Sequence, residues 1–291
     1  MALLIKLIAS DMDGTLLNDK LELSQENARI IKKAQDKGVE FIVATGRSLT
    51  EARPLVEGAG LKASYVTLNG AMVFDPDGNV AVEIPLEKER TQDLMTLLNE
   101  HGFYFELVTN KGLVSNSRVG RIKNVADLIV SLNPGTDFKT GIELASARAE
   151  LMDILYVDDY NKILNDDSFK VMKIVVFDEN GPDVFKDLRQ TLDQKDDLII
   201  TSSSPNNVEI NHKDAQKGIA LARYAEEKNI DIADVMAIGD NYNDESMIRT
   251  AGLPVAMENA VPEIKELSKY ITDTNKNNGV AKAIEHFIDL D

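Results

Sequence analysis

Leu4-Ile5-Lys6-Leu7-Ile8-Ala9-Ser10-Asp11-Met12-Asp13-Gly14-Thr15-Leu16-Leu17 is the stretch whose reading decides the fold. Its apolar run, interrupted only by Lys6, reads as a buried strand of a parallel sheet. The run ends in two carboxylates one residue apart, then a glycine and a threonine. Neighbouring side chains of a strand point to opposite faces, but past the strand end the chain curls, and Gly14 permits a tight turn. Asp11 and Asp13 are therefore expected to border one pocket outside the carboxyl end of the sheet, where open α/β folds hold ligands. Two close carboxylates repel unless a cation or a shared proton intervenes, which costs stability and serves an active site. The plain alternative is a solvated strand-to-turn junction, since Asp-Gly is common turn chemistry.

The chain on either side of this stretch repeats the pattern. Ser24 reads as an N-cap, with Ala28, Ile31 and Ala34 at helical spacing and Gly38 as the stop. Val39 to Ala44 reads as a second buried strand ending in Thr45-Gly46-Arg47-Ser48, followed by a short helix to about Gly58. Tyr65 to Leu68 makes a third strand, ending in Asn69-Gly70. This is the βαβ alternation of a parallel sheet. Met72–Phe74 and Val80–Ile84, joined by Asp75-Pro76-Asp77-Gly78, read as a hairpin.

From Pro85 to about residue 210 the character changes. Helix is expected near Glu87–His101 and Pro182–Gln194 and in stretches between about Val119 and Asn165, and strand near Tyr104–Thr109, Leu113–Ser115, Val171–Phe177, Leu198–Ser202 and Asn207–Ile210. Within Ile142–Leu164 the apolar positions fit helix and strand almost equally. This segment reads as an α+β domain, 85–210, inserted into a sheet domain made of 1–84 and 211–291. The first pattern resumes at Lys217-Gly218, which opens a helix with Ile219, Leu221, Ala222 and Ala225 on its apolar side. Val235 to Ile238 is a strand ending in Gly239-Asp240-Asn241-Tyr242-Asn243-Asp244. A helix to Thr250, a strand at Leu253–Met257 and an amphipathic helix at Gly279–Leu290 complete the chain.

A chain of 291 residues with 43% hydrophobic content can bury a sizeable core. It has no cysteine, which excludes disulfides and zinc-thiolate sites, and only three scattered histidines. The opening apolar run is short and charged, unlike a signal peptide or a membrane span, so a cytoplasmic protein is expected. The net charge of −17, from 49 acidic and 32 basic residues, disfavours nucleic acid and anionic membranes as partners. An anionic substrate would need local positive charge from Lys, Arg, helix N-termini or a metal.

Four clusters then stand at strand ends or helix starts of one sheet: Asp11/Asp13, Thr45, Lys217 and Asp240/Asn243/Asp244. Phosphoryl transfer needs these groups. A carboxylate can form an acyl phosphate, and an acid–base partner must protonate the departing oxygen and activate water. A lysine and a hard cation balance the equatorial oxygens, while a hydroxyl and backbone N–H groups hold the rest. Oxygen ligands without His or Cys suit Mg²⁺.

Asp11-Met12-Asp13-Gly14-Thr15, Ala44-Thr45-Gly46-Arg47, Lys217-Gly218 and Gly239-Asp240-Asn241-Tyr242-Asn243-Asp244 resemble the four signature motifs of haloacid dehalogenase-like (HAD) phosphatases. Their order, their spacing and the large insertion between the second and third motifs resemble the Cof-type subfamily. The resemblance covers nearly the whole chain. It implies an α/β fold, a Rossmann-like parallel-sheet core with an inserted α+β cap that sets substrate specificity. Carried over residue by residue, it makes Asp11 the nucleophile and Asp13 the general acid/base. Mg²⁺ would be held by Asp11, the Asp13 backbone carbonyl and Asp240, with Asp244 orienting Lys217 or a metal-bound water. Thr45 would hydrogen-bond the phosphoryl group and Lys217 would neutralise it. Gly14, Gly46, Arg47, Asn69, Gly70 and Asn243 would line the substrate side.

Plainer readings stand beside these. Thr45 could cap the next helix, which is compatible with phosphate binding. Lys217 could be a solvated helix-start lysine, although a cation is disfavoured there by the helix dipole. Asp244 could be an early helix acid, and Asn69-Gly70 turn chemistry first. His212 reads as a loop residue, His101 and His286 as ordinary helix residues, and Ser202-Ser203-Ser204-Pro205-Asn206-Asn207 as a loop. The expected activity is Mg²⁺-dependent hydrolysis of small phosphorylated metabolites. A sugar phosphate is suggested first, then flavin or pyridoxal phosphates, with monomer and homodimer left open. A phosphomutase is the rival enzyme and would want basic groups in the cap, for which Arg118, Arg121 and Lys123 are the candidates. A response-regulator receiver domain would be far shorter and lack the insertion. A non-catalytic metabolite-binding regulator on the same fold is the remaining reading.

Overall fold

The computed structural model of the chain describes residues 4–133, 135–202, 204 and 206–290. In chain order it contains β1 (Leu7–Asp11), α1 (Gln25–Asp36), β2 (Glu40–Ala44), α2 (Leu49–Glu57), β3 (Ser64–Thr67), β4 (Met72–Phe74) and β5 (Val80–Glu83). Then come α3 (Lys88–Glu100), β6 (Tyr104–Thr109), β7 (Gly112–Ser115), α4 (Arg118–Leu132), α5 (Phe138–Leu151), β8 (Ile154–Tyr156), α6 (Asn161–Leu164), β9 (Val171–Phe177), α7 (Lys186–Leu192), β10 (Leu198–Thr201) and β11 (Asn207–His212). The last elements are α8 (Lys217–Glu227), β12 (Val235–Gly239), α9 (Glu245–Thr250), β13 (Leu253–Ala256), α10 (Pro262–Leu267), β14 (Tyr270–Ile271) and α11 (Gly279–Phe287). The chain divides into two compact units, one spanning Met1–Ile84 and Asp214–Asp291, the other Pro85–Lys213. Among the described residues no helix is long and apolar enough to cross a membrane.

The first unit is built on an eight-stranded sheet in the order β14-β13-β12-β1-β2-β3-β4-β5. The strands from β14 to β3 are parallel, and the β4–β5 hairpin adds antiparallel strands at one edge. β1 and β12 are buried along their whole length, as near-continuous apolar runs between two helical layers require. α1 starts where Ser24 accepts the Asn27 N–H, buries Ile30, Ile31 and Ala34, and gives way to Gly38 at φ +86°. Its neighbour α11 buries Val280, Ala281, Ala283 and Ile284. α11 stops at Phe287, short of the expected Leu290, because Ile288 is already extended. α10 and β14, two short elements after β13, have no counterpart in the sequence reading.

The second unit carries a six-stranded, largely antiparallel sheet in the order β10-β11-β9-β6-β7-β8. One face is apolar: Phe105, Leu107, Ile174, Val176, Val208 and Ile210 pack with Leu94, Met95 and Leu98 of α3 and Leu188 and Leu192 of α7. The ambiguous stretch Ile142–Leu164 resolves into the end of α5, strand β8 paired parallel to β7, and the short helix α6. α7 is shorter than expected, since residues 182–185 form turns closed by the Phe185 N–H on the Pro182 carbonyl. β11 runs past Ile210 to His212, which pairs with Leu198 of β10. His212 therefore ends a strand and is not a loop residue. Ser203 and Pro205, within the expected 202–207 loop, lie outside the described residues.

Candidate active site

Strand register brings the acidic loops together. Asp11 ends β1 beside Ala44 of β2, while Ser10 pairs with Ile238 of β12 on the other side. The chain segments that follow, Met12–Leu17, Thr45–Ser48 and Asp240–Asp244, thus leave one edge of the sheet from adjacent strands. This edge is the carboxyl end of the parallel strands, where the backbone opens into loops.

Lys217 begins α8 and is fully buried, contrary to the solvated alternative. Its ammonium donates to Asp11 Oδ1 at 2.6 Å and to Asp244 Oδ1 at 2.7 Å. Burial alone would push this ammonium down, but the Asp11 and Asp244 carboxylates outweigh it and hold the group well above the ordinary lysine range. α8 can start here because two glycines admit close backbone approach. A Cβ on Gly218 would lie 2.2 Å from the Ser246 carbonyl oxygen, and one on Gly70 2.4 Å from the Gln216 carbonyl group. Gly70 is at φ +113° and Asn69 at φ +58°, so the Asn69-Gly70 turn is locked against the start of α8.

Asp244 is also fully buried. Its Oδ2 accepts the N–H groups of Asp240 at 2.9 Å and Asn241 at 3.0 Å, which leaves Oδ1 directed at Lys217. Both oxygens are therefore engaged, and of the two tasks expected of Asp244 the geometry displays the hold on Lys217. Asp240 is half-buried and accepts Thr15 Oγ1 at 2.7 Å. Thr15, fully buried, received no individual role from the sequence.

The remaining expected residues lie around this centre. Asp13 is exposed and held by Arg47, Nε to Oδ2 at 2.8 Å and Nη2 to Oδ1 at 2.5 Å. Thr45 is buried and its Oγ1 accepts the Arg47 N–H at 3.1 Å. It does not cap α2; Ser48 does, in a capping box with Glu51. Gly46 faces Asn69, whose Oδ1 would meet a Cβ there at 3.1 Å. The same Asn69 Oδ1 accepts Asn243 Nδ2 at 3.2 Å. Gly14 is at φ +87°. His101 stacks on Phe103, and His286 stacks on Tyr270, as packing residues.

The donor set fits a hard divalent cation. Carboxylate oxygens of Asp11, Asp240 and Asp244 lie within 4.8 Å of one another, and Asp11 Oδ2 is buried without a hydrogen-bond partner. One ammonium does not balance this much negative charge. Burial, and then the Asp244 and Asp240 carboxylates, push the Asp11 carboxyl well above its usual range against the pull of Lys217. A Mg²⁺ ion, which takes oxygen ligands and few carboxylates, suits that surplus. In the second unit, the basic groups that a mutase would want are already paired: Arg121 with Glu106 at 2.8 Å, Lys123 with Glu179 at 2.8 Å and Arg118 with Glu150 at 3.8 Å.

Comparison with known proteins identifies the family over nearly the whole length. Residues 8–284 match the family described as haloacid dehalogenase-like hydrolase. The phosphatase YwpJ of Bacillus subtilis is 31% identical, covering 98% of this chain and 100% of its own. The 5-amino-6-(5-phospho-D-ribitylamino)uracil phosphatase YcsE of Bacillus subtilis is 34% identical, covering 98% of this chain and 96% of its own. A solved haloacid dehalogenase-like hydrolase from B. subtilis superposes with a TM-score of 0.79 at 30% identity, covering 98% of this chain and 100% of its own.

Proposed function

The chain belongs to the haloacid dehalogenase-like hydrolase family and is a phosphoric monoester hydrolase, and on that premise we propose that it removes phosphate from small phosphorylated metabolites, with Mg²⁺ and through an aspartyl phosphate on Asp11. The observation that carries this reading is the buried Asp11–Lys217–Asp244 array, with Asp11 Oδ2 left unpartnered at the strand end.

Asp11 attacks phosphorus as the bond to the ester oxygen breaks. Asp13 passes a proton to that oxygen, so the alcohol leaves neutral. Asp13 then takes a proton from water, the water oxygen bonds to phosphorus, and the acyl phosphate breaks to return the Asp11 carboxylate. Because Arg47 holds Asp13 in the structure, this role has Asp13 exchange that bond for one to the ester oxygen. Lys217 stays charged and opposes the negative charge of the phosphoryl oxygens, and the Thr45 hydroxyl supplies a further hydrogen bond. Mg²⁺ bound by Asp11, the Asp13 carbonyl and Asp240 would supply a Lewis acid for the same oxygens.

The inserted unit is proposed as the specificity cap. A phosphorylated sugar or sugar alcohol is the proposed substrate class. Its support is the name of the YcsE relative, whose substrate carries phosphate on a ribityl chain. The pairing of Arg118, Arg121 and Lys123 with acids leaves the mutase reading without a favouring observation.

The test is phosphate release from a panel of phosphorylated metabolites, with Mg²⁺ and with EDTA, beside Asp11→Asn. Release that requires Mg²⁺ and falls at least about a thousandfold in the variant is the expected result. Undiminished release by Asp11→Asn would refute the nucleophile assignment.

A further inference from the structure

Three asparagines grip the chain that follows Asp13. Asn259 Nδ2 donates to the Gly14 carbonyl at 2.8 Å, Asn27 Nδ2 to the Leu16 carbonyl at 3.3 Å and Asn275 Nδ2 to the Leu17 carbonyl at 3.0 Å. Asn27 and Asn275 are buried, and a buried carbonyl left unmet is costly, so these two are explained by the fold. Asn259 is exposed. Water could satisfy the Gly14 carbonyl in its place, so the fold does not demand that donor there.

The surroundings of Asn259 suggest what it is for. It lies in the turn 257–261 between β13 and α10, and that turn also holds the second acidic loop. The Met257 N–H donates to the Gly239 carbonyl at 3.0 Å and the Val261 N–H to the Asp240 carbonyl at 2.9 Å. Asn259 Oδ1 accepts the Asn275 N–H at 3.0 Å, which aims the amide at Gly14. One turn thus grips the backbone of both acidic loops. Between those loops, Thr15 bonds Asp240, and Gly14 packs so closely that a Cβ would lie 2.5 Å from Asp240 Oδ2. Gly14 alone separates Asp13 from Thr15, and without a Cβ its torsions are the softest in the loop.

We infer that Asn259 is a positioning residue for the metal: its bond to the Gly14 carbonyl fixes the Asp13 carbonyl relative to the Asp240 carboxylate. The inference rests on the metal set proposed above. Groups that orient ligands in this way contribute to metal affinity without touching the ion.

The experiment is calorimetric titration of Mg²⁺ into the full-length chain, wild type against Asn259→Ala and Asn259→Ser, with Tm recorded in EDTA. Both variants are expected to bind Mg²⁺ about tenfold more weakly. Their Tm in EDTA should fall by no more than about 4 °C, since the Asn259 side chain makes two hydrogen bonds, to the Gly14 carbonyl and from the Asn275 N–H. Saturating Mg²⁺ should restore turnover, so the defect reads in the metal requirement. Unchanged Mg²⁺ affinity in both variants overturns the inference, and so does an affinity loss accompanied by a fall of Tm in EDTA beyond about 4 °C. Asp240→Asn tests the underlying metal set separately. Wild-type Mg²⁺ affinity in that variant removes the set itself, whatever Asn259 does.

Discussion

At the first position of α8, Lys217 meets the unfavourable end of a helix dipole, yet it is fully buried. Two carboxylates within 2.7 Å supply what the dipole and burial withdraw. The sequence names Lys217 through a resemblance but does not show this neighbourhood, because Asp11 lies 206 positions away in the chain. Thr15 and Asn259 were missed for a related reason: a threonine after Asp-Gly and an asparagine in a turn have ordinary local explanations. Gly14 permits a sharper statement. It combines φ +87° with an Asp240 oxygen 2.5 Å from where a Cβ would sit. Gly14→Ala must therefore displace either the loop or the Asp240 carboxylate. Turnover is expected to fall by roughly tenfold or more, with circular dichroism unchanged, because a strained left-handed alanine costs about 1–2 kcal/mol while the sheet remains intact. Wild-type kcat/KM in that variant would show that the close packing is not needed for catalysis.

At the scale of elements, the parallel strands were legible because both of their faces are buried, which makes them continuous apolar runs. α1 was legible from its cap and its spacing. α10 and β14 were not, because a helix of one or two turns and a two-residue strand are set by neighbours more than by periodicity. The connection after β14 depends on charge instead. Asp273 accepts Lys282 Nζ of α11 at 2.6 Å, the Thr274 N–H at 2.7 Å and Asn277 Nδ2 at 3.0 Å. The hydrogen bond from Lys282, then those from Thr274 and Asn277, hold the Asp273 carboxyl down at about 2. A carboxyl depressed in the folded state stabilises above its unfolded pKa, about 4, and that stabilisation is lost as pH falls through the folded value. Asp273→Asn should thus lower the urea midpoint at about pH 6, and the gap to wild type should narrow from about pH 4 towards pH 2. A gap that is constant with pH would show that the carboxylate charge contributes nothing.

For the whole molecule, two hydrophobic clusters stand behind the two units, one around β1, β2 and β12 and one around β6, β9 and β11. Ile31 and Leu98 are completely buried in the first and second cluster respectively. Ile31→Ala and Leu98→Ala should each cost about 2–5 kcal/mol, read as a lower urea midpoint by far-UV circular dichroism. A cost below about 1 kcal/mol at either site would mean that the cluster refills the cavity. The sequence by itself determined the alternation of strand and helix in the parallel sheet, the cap of α1 and the turn residues at the strand ends. These follow from local rules, since periodicity, caps and turn residues act over a few positions. Only the tertiary structure decided that Lys217 is enclosed by Asp11 and Asp244, that Asp13 is held by Arg47, and that the 257–261 turn grips both acidic loops. Those contacts join residues far apart in the chain, and they exist only once strand register has set which loop ends meet.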